Sequence, residues 1–194
     1  MRSIVKYRNV EILRKEHVVL KNVSFDLQQG EFLYLMGKVG SGKSSLLKSI
    51  YSEIPISDGT ARVFDYDLNN IKRKEIPMLR RQIGIVFQDF QLLTDRNVHE
   101  NLRFVLEATG WKDQEDIECR IEEVLKQVAM LNKPQLILAD EPTGNLDPAT
   151  SEQIVNHLHE ISSNGTAVIM ATHNLALVEQ FPARVLRCED KKLI

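Results

Sequence analysis

One nine-residue segment combines the residue types that a protein needs to hold a chain of phosphates. Residues 37–45 read Gly-Lys-Val-Gly-Ser-Gly-Lys-Ser-Ser, which has the glycine, lysine and serine spacing of a phosphate-binding loop. Glycines let the backbone curl so that its N–H groups face phosphate oxygens, while the lysine reaches the β- and γ-phosphates. The residues predicted to contact a nucleotide are Gly37, Lys38, Val39, Gly40, Ser41, Gly42, Lys43, Ser44 and Ser45.

Two adjacent carboxylates form a second candidate site. Asp140 and Glu141 follow an apolar run at 136–139, and charges at the end of a buried strand are unfavourable unless they face a cation. We expect Asp140 to hold Mg²⁺ together with the Ser44 hydroxyl. Glu141 is placed to orient or deprotonate a water that attacks the γ-phosphate. The alternative, a surface turn with two solvated acids, fits poorly beside a phosphate loop.

Two uncharged polar residues also stand at predicted strand ends. Gln88 follows the apolar run 83–87, and its carboxamide can bind Mg²⁺ or the attacking water, although a lone strand-end glutamine is more often structural. His173 follows the run 167–171, and its imidazole N–H can reach a γ-phosphate oxygen. We therefore include both residues in the candidate site.

The elements that must position these residues alternate along the chain. The apolar run 32–36 predicts a buried strand before the loop, and the helix predicted at 44–51 points its positive end at the same anion. Three further buried strands are predicted at 83–87, 136–139 and 167–171, and the longer predicted helices lie at 98–109, 117–130 and 149–163. Shorter predicted elements are strands at 61–64 and 183–188 and helices at 74–82 and 175–179. This order predicts an α/β fold with a mostly parallel sheet flanked by helices. Short alternating runs in the first thirty residues predict an attached antiparallel β layer.

The bulk properties are those of one cytosolic domain. The chain has 194 residues, 43% of them hydrophobic, and a formal net charge of −2. Because it has no long basic stretch, we expect no nucleic-acid partner. Cys119 and Cys188 have neither metal nor redox spacing. No apolar run approaches the ~20 residues that cross a bilayer, and the N-terminus lacks a secretory signal. We expect no direct membrane insertion, so any membrane role needs a partner.

The order of these motifs resembles the ATP-binding subunit of ABC transporters. The phosphate loop, Gln88, the acidic pair, the stretch 142–147 and His173 follow one another like that family's Walker A, Q-loop, Walker B, D-loop and H-loop. The resemblance implies a RecA-like P-loop NTPase fold over residues 1–194, with ATP and Mg²⁺ as cofactors and a homodimer that closes on ATP. It also implies that Gln88 couples the site to a membrane partner, that Glu141 is the catalytic base and that Asp147 communicates across the dimer.

Within that family, three stretches look very like the FtsE type of cell-division ATPase. They are residues 74–98, 139–147 and 170–173, of which the last two are shared with lipoprotein-release and macrolide-export ATPases. The resemblance implies an FtsX-like integral membrane partner and a place on the cytoplasmic face of the inner membrane. FtsE-type proteins bind that partner in a groove beside the Q-loop. The corresponding residues here, which can equally be helix core, are Phe90, Leu92, Leu93, Val98 and Leu102.

The chain departs from the family pattern in two places. Family members carry a Leu-Ser-Gly-Gly-Gln-like signature before Walker B, whereas residue 130 here leads straight into 131–134, so the helical subdomain at about 90–130 is expected to be a truncated remnant. One explanation is that the protein has a signature segment that this sequence does not include. The other is that the protein lacks the segment and is a nucleotide-binding scaffold that does not hydrolyse ATP. The family's aromatic residue for adenine stacking is matched by Ile12 or Leu13, which would offer the base an aliphatic surface.

Overall fold

The computed structural model describes residues 2–14, 16–87, 98–126, 134–144 and 146–194. Within these ranges the strands are β1 Ser3–Arg14, β2 His17–Gln28, β3 Phe32–Met36, β4 Ile56–Val63, β5 Tyr66–Asp67, β6 Ile83–Val86, β7 Leu136–Asp140, β8 Ala167–Thr172, β9 Arg184–Glu189 and β10 Lys192–Leu193. The helices are α1 Lys43–Ile50, α2 Ile76–Arg80, α3 Val98–Ala108, α4 Gln114–Lys126, α5 Pro148–Ser163 and α6 Leu175–Gln180.

A six-stranded sheet with the order β10-β9-β3-β8-β7-β6 forms the centre of the fold. Strand β3 pairs in parallel with both β8 and β9, and β7 pairs in parallel with β8 and β6. Every residue of β3 and β8 is buried, as expected for strands covered on both faces. The predicted mostly parallel α/β fold is confirmed.

The N-terminal region forms the predicted antiparallel layer, with the order β2-β1-β4-β5. The sequence predicted several short strands here, whereas β1 and β2 are each 12 residues long. Their pairing continues past register shifts, and Asn9 and Asn22 take positive φ values of 50° and 56° within them. Bulges of this kind let a strand bend without ending, which explains why polar interruptions in the sequence did not mark strand ends.

Close packing at Gly42 places the phosphate loop between the two sheets. Gly42 directly precedes α1 and has φ 105°, and a Cβ there would lie 2.9 Å from Leu20 Cγ on β2. On the other side, a Cβ on Gly37 would lie 2.7 Å from the carbonyl oxygen of Cys188 on β9. Both glycines are therefore needed because the neighbouring strands approach the loop backbone closely.

Helices α3 and α4 pack mainly against each other. Leu106, Ile117 and Ile121 form a small buried cluster, with Leu102 packed against it. Leu102 is therefore part of this helix-pair core. The other proposed groove positions, Phe90, Leu92, Leu93 and the Val98 side chain, lie outside what the structure describes. The expectation that residues around 90–130 are a truncated helical subdomain stays a prediction.

None of the helices in the described ranges has the length and apolar character needed to cross a bilayer.

Candidate functional site

The parallel register brings the predicted site residues to one edge of the central sheet. Met36 at the end of β3 lies beside Thr172 at the end of β8, and Asp140 at the end of β7 lies beside Ala171. The phosphate loop and His173 continue from the first pair of strand ends, while Glu141 follows Asp140. Residues that are more than one hundred positions apart thus meet where parallel strands present their carboxyl ends.

Lys43 is held over the loop by three oxygen atoms. Its Nζ donates to the carbonyl oxygens of Gly37 and Lys38, at 2.7 and 3.1 Å, and lies 3.1 Å from Glu141 Oε1. The Lys43 side chain is only 5% exposed. A buried ammonium needs such partners, and phosphate oxygens can replace them when a nucleotide enters.

Glu141 bridges the loop lysine and the strand-end histidine. While Oε1 faces Lys43, Oε2 lies 2.7 Å from His173 Nδ1, and the Glu141 side chain is 12% exposed. The Glu141 backbone has a φ of 50°, and its N–H donates to the Ala171 carbonyl at 3.0 Å. A positive φ at a non-glycine residue is strained and is often found at functional sites. This carboxylate is therefore fixed in position on both oxygens and at its backbone.

Asp140 and Ser44 form the part of the site that suits a divalent cation. Burial raises the pKa of the Asp140 carboxyl, a hydrogen bond from Ser44 lowers it in part, and the neighbouring Glu141 charge raises it again. Asp140 Oδ1 is buried and has no hydrogen-bond partner among the described residues. The described residues contain no cluster of three His, Cys, Asp or Glu side chains that could hold a metal. Because Mg²⁺ commonly uses one or two carboxylates and phosphate oxygens, the orphaned oxygen and the hydroxyl fit that ion.

Replacing Asp140 with asparagine is expected to raise the melting temperature of the nucleotide-free protein near neutral pH. Folding raises the pKa of the Asp140 carboxyl above the ordinary value of 3.8, which we take for the unfolded chain. The protonated acid therefore stabilises the fold fully at pH values below 3.8, and this contribution is lost as the pH rises through the pKa of the folded state. The amide avoids this loss, so the advantage over wild type should shrink as the pH falls toward about 4. Calorimetric melting of both proteins across this pH range measures the difference between their melting temperatures.

The exposed Asp58 supplies the matched control, since Asp58→Asn makes the same chemical change away from the site. With Mg²⁺ and ATP present, Asp140→Asn should instead require at least about tenfold more Mg²⁺ for binding. A variant that melts below wild type at every pH without nucleotide would contradict this account of Asp140.

The other loop residues differ in how they face solvent. Val39 is 88% exposed, whereas Ser45 is buried within α1. Ser44 is exposed, so its hydroxyl is accessible to a ligand. The Ser41 hydroxyl is buried and has no partner within the described ranges. Gln88 lies outside those ranges, so its predicted role stays a prediction.

Asp147 has a local structural role that the sequence analysis did not identify. It caps α5, accepting from the Thr150 hydroxyl at 2.6 Å and the Thr150 backbone N–H at 3.0 Å. These hydrogen bonds lower the pKa of the Asp147 carboxyl. The sequence contains the signal for this helix cap, because an aspartate followed by proline at the first helical position is typical of a helix start. Its implied role across a dimer stays a prediction.

The structure removes one of the two candidates for adenine stacking. Ile12 is fully buried in the core, so of the two alternatives it is the one that the structure does not support. The alternation of a strand turns adjacent residues to opposite faces. Leu13, which is partly exposed, therefore stays the candidate.

A cavity of about 420 Å³ beside Glu141 and His173 was not foreseen. Its polar lining includes Thr143, Thr172 and Asn174. These residues lie next to predicted site residues in sequence, but nothing in the sequence indicated that α5 and α6 leave space between them. Solvent in this cavity is in reach of the Glu141 carboxylate.

Comparison with known proteins identifies the family of the chain. The family described as ABC transporter matches residues 20–131. The cell division ATP-binding protein FtsE of Streptococcus pneumoniae strain D39 is 37% identical over 219 aligned positions, which cover 99% of this chain and 94% of that protein. FtsE of Bacillus subtilis is 40% identical, covering 88% of this chain and 86% of the relative, and FtsE of Escherichia coli is 36% identical, covering 94% and 97%.

Solved structures show the same fold. A dimeric post-hydrolysis state of the ATP-binding cassette MJ0796, bound to ADP and Pi, superposes with a TM-score of 0.87 at 29% identity, over 97% of this chain and 96% of that one. A second dimeric structure of MJ0796 gives a TM-score of 0.88. The predicted P-loop NTPase fold and the resemblance to FtsE-type proteins are confirmed.

Proposed function

The chain belongs to the ABC transporter family, and from that premise we propose that it is an ATP-hydrolysing subunit of a bacterial cell-division complex. The observation that carries the proposal is the Glu141 carboxylate, held between Lys43 and His173 at the edge where the phosphate loop begins. A carboxylate in this position can accept a proton from a water that attacks a γ-phosphate. The names of the FtsE relatives support the cell-division role.

Nucleotide binding would exchange the contacts of Lys43. Phosphate oxygens would take over from the loop carbonyls because they are charged acceptors, and the several charges of the phosphate chain would together compete with the single carboxylate of Glu141. Glu141 Oε1 is then free to accept the proton of the attacking water, while His173 holds Oε2. The carboxylate thus keeps its orientation as it loses one of its two partners.

The geometry of His173 also limits how it can contact a phosphate. Its Nδ1 faces Glu141, which as a carboxylate only accepts, so Nδ1 carries the proton in this pair. In the neutral ring, Nε2 is then an acceptor. While Nδ1 donates to Glu141, a neutral His173 therefore cannot also donate from Nε2 to a γ-phosphate oxygen, so only a ring that carries both protons makes the two contacts at once.

Ser44 and Asp140 would hold Mg²⁺, with Gln88 as the further predicted ligand. When bound, the ion neutralises charge on the β- and γ-phosphates. The contribution of the protein is a pre-placed hydroxyl and a carboxylate oxygen that lacks a partner among the described residues.

An FtsX-like integral membrane protein is the proposed partner, acting with a homodimer that closes on ATP. The names of the relatives and the dimeric state of the MJ0796 cassettes support this assignment. The complex would place the chain at the cytoplasmic face of the inner membrane. Co-purification from membranes tests the partner. Recovery of FtsX is the expected result, while recovery of a lipoprotein or macrolide exporter permease instead would assign the chain to that transporter class.

One observation favours a second function, a nucleotide-dependent scaffold that does not hydrolyse ATP. The alignment with the Streptococcus pneumoniae relative has 219 positions, more than the 194 residues of this chain, so that protein has residues without a counterpart here. If these include the signature segment, the closed dimer loses donors to the γ-phosphate. Single-turnover assays with radiolabelled ATP decide the question, because bound ATP that is never cleaved identifies the scaffold.

A further inference from the structure

We propose that a cavity at the C-terminal end of α1 binds a medium-chain carboxylate, a small amphiphile with an anionic head and a hydrocarbon tail. The cavity has a volume of about 250 Å³ and lies at the end of α1 that is farther from the phosphate loop. None of its described lining residues belongs to the candidate nucleotide site or to the groove positions predicted for the membrane partner. The inference therefore goes beyond the proposed function and does not depend on it.

The walls of the cavity are apolar and only partly covered. Four half-buried isoleucines line it: Ile54 and Ile56 at the start of β4, Ile71 after β5 and Ile76 at the start of α2. Leu68, which is 6% exposed, lines the cavity more deeply. Because β-branched side chains have few accessible rotamers, isoleucine walls keep their shape without an occupant. Apolar walls that remain open to water favour an apolar occupant.

The polar side chains of the lining are already engaged or turned away. The Ser49 hydroxyl donates to a carbonyl of its own helix at 2.7 Å. The Asn69 carboxamide bonds to the backbone of β4 through both its nitrogen and its oxygen, at 2.9 and 3.0 Å. The Ser52 hydroxyl has no partner within the described ranges, but it is inaccessible to solvent and so does not face the open cavity. The part of the ligand inside the cavity is therefore a hydrocarbon tail.

A basic segment at the edge of the cavity suits an anionic head. Lys72, Arg73 and Lys74 stand between two of the wall isoleucines and are all exposed. In the part of the chain that the structure describes, none of the three side chains forms an ion pair. The adjacent acid, Glu75, instead accepts from the Lys72 backbone N–H at 2.8 Å. Three cations beside an apolar cavity are complementary to a carboxylate that follows a hydrocarbon chain.

The size of the cavity limits the length of the tail. Pockets for drug-sized ligands begin at roughly 300 Å³, so this cavity suits a smaller molecule. A methylene group takes up about as much space as a water molecule in the liquid, roughly 30 Å³, and the cavity therefore holds a chain of about eight carbons. The backbone N–H groups of Glu53 and Ile54 both donate to the Lys48 carbonyl, at 2.9 and 3.3 Å, which fixes the turn after α1. A preformed cavity of this kind costs little to order on binding.

Titration of the wild-type protein with carboxylates of increasing length tests the tail. Isothermal calorimetry without nucleotide, below the micellar concentrations, uses the unbranched acids of four, six, eight and ten carbons. The expected result is one site per chain, with an affinity that rises about fourfold for each added methylene and levels off near octanoate, where the cavity is full. Hexanol, which has a tail of matched length and no charge, should bind more weakly than hexanoate.

Two pairs of variants locate the head and the tail. Lys72→Gln/Lys74→Gln should weaken octanoate binding by about two- to twentyfold and leave hexanol binding unchanged, because exposed ion pairs are individually weak. The matched control, Lys191→Gln/Lys192→Gln, removes two equally exposed lysines elsewhere and should bind octanoate like wild type. Ile71→Glu places a charge in the wall and should abolish binding, whereas Val105→Glu, at an exposed valine of α3, should not.

Several results would overturn the proposed carboxylate site. They are the absence of saturable heat with any of the acids, an affinity that does not change with chain length, an equal loss in both lysine variants, and displacement of octanoate by ATP. If Ile71→Glu does not fold, the length series and the lysine variants still decide. A protein that binds ATP but not octanoate refutes this site and leaves the proposed function intact.

Discussion

Replacing Lys43 with alanine should lower the affinity for ATP by roughly 10²- to 10⁴-fold, because two charge-assisted hydrogen bonds are worth about 1.5–3 kcal/mol each and 1.4 kcal/mol is tenfold. No other described lysine is so deeply buried in the loop, with its Nζ held by Gly37 and Lys38 carbonyls. The variant also leaves the Glu141 carboxylate, 12% exposed, without its ammonium partner. Isothermal calorimetry with Mg²⁺ and ATP measures the loss.

The exposed Lys74 offers a control with the same change of charge and side chain. Lys74→Ala should bind ATP like wild type. If Lys43→Ala, still folded by circular dichroism, binds ATP within about threefold of wild type, the phosphate chain does not lie where the loop predicts and the proposed site is wrong.

Replacing Glu141 with glutamine should slow hydrolysis by about 10²- to 10⁴-fold, which is the usual contribution of a general base. ATP affinity should stay the same or rise, because the amide no longer holds Lys43 by charge. With cleavage blocked, ATP remains bound and the closed homodimer should accumulate. Single-turnover hydrolysis and size-exclusion chromatography in ATP measure the two effects.

Glu152 is a matched control, since it is exposed and lines the cavity next to Glu141 without contacting Lys43 or His173 in the described structure. Glu152→Gln should turn over ATP at the wild-type rate. A Glu141→Gln variant that cleaves ATP at an undiminished rate would remove Glu141 from its role as base. If wild type itself binds ATP but never cleaves it, the scaffold function replaces the ATPase.

The sequence by itself determined the candidate site residues and the sheet edge at which the described ones meet. Gly37 to Ser44 are contiguous in the chain, so their residue types and spacing are enough to predict that the loop binds phosphates. Asp140 and His173 follow apolar runs that are typical of buried parallel strands, and such strands present their carboxyl ends together. The α/β fold and the order of motifs followed from the same local patterns.

The tertiary structure decided what no local pattern contains. Distant segments meet where Glu141 contacts both Lys43 and His173, and where Cys188 lies close to Gly37. The burial of Ile12 likewise depends on residues far from it in the chain. Such contacts depend on how strands and helices pack closely against one another. The type of a residue alone does not tell which distant residue it will contact. Sequence spacing thus specifies which groups are available, while packing specifies which of them touch.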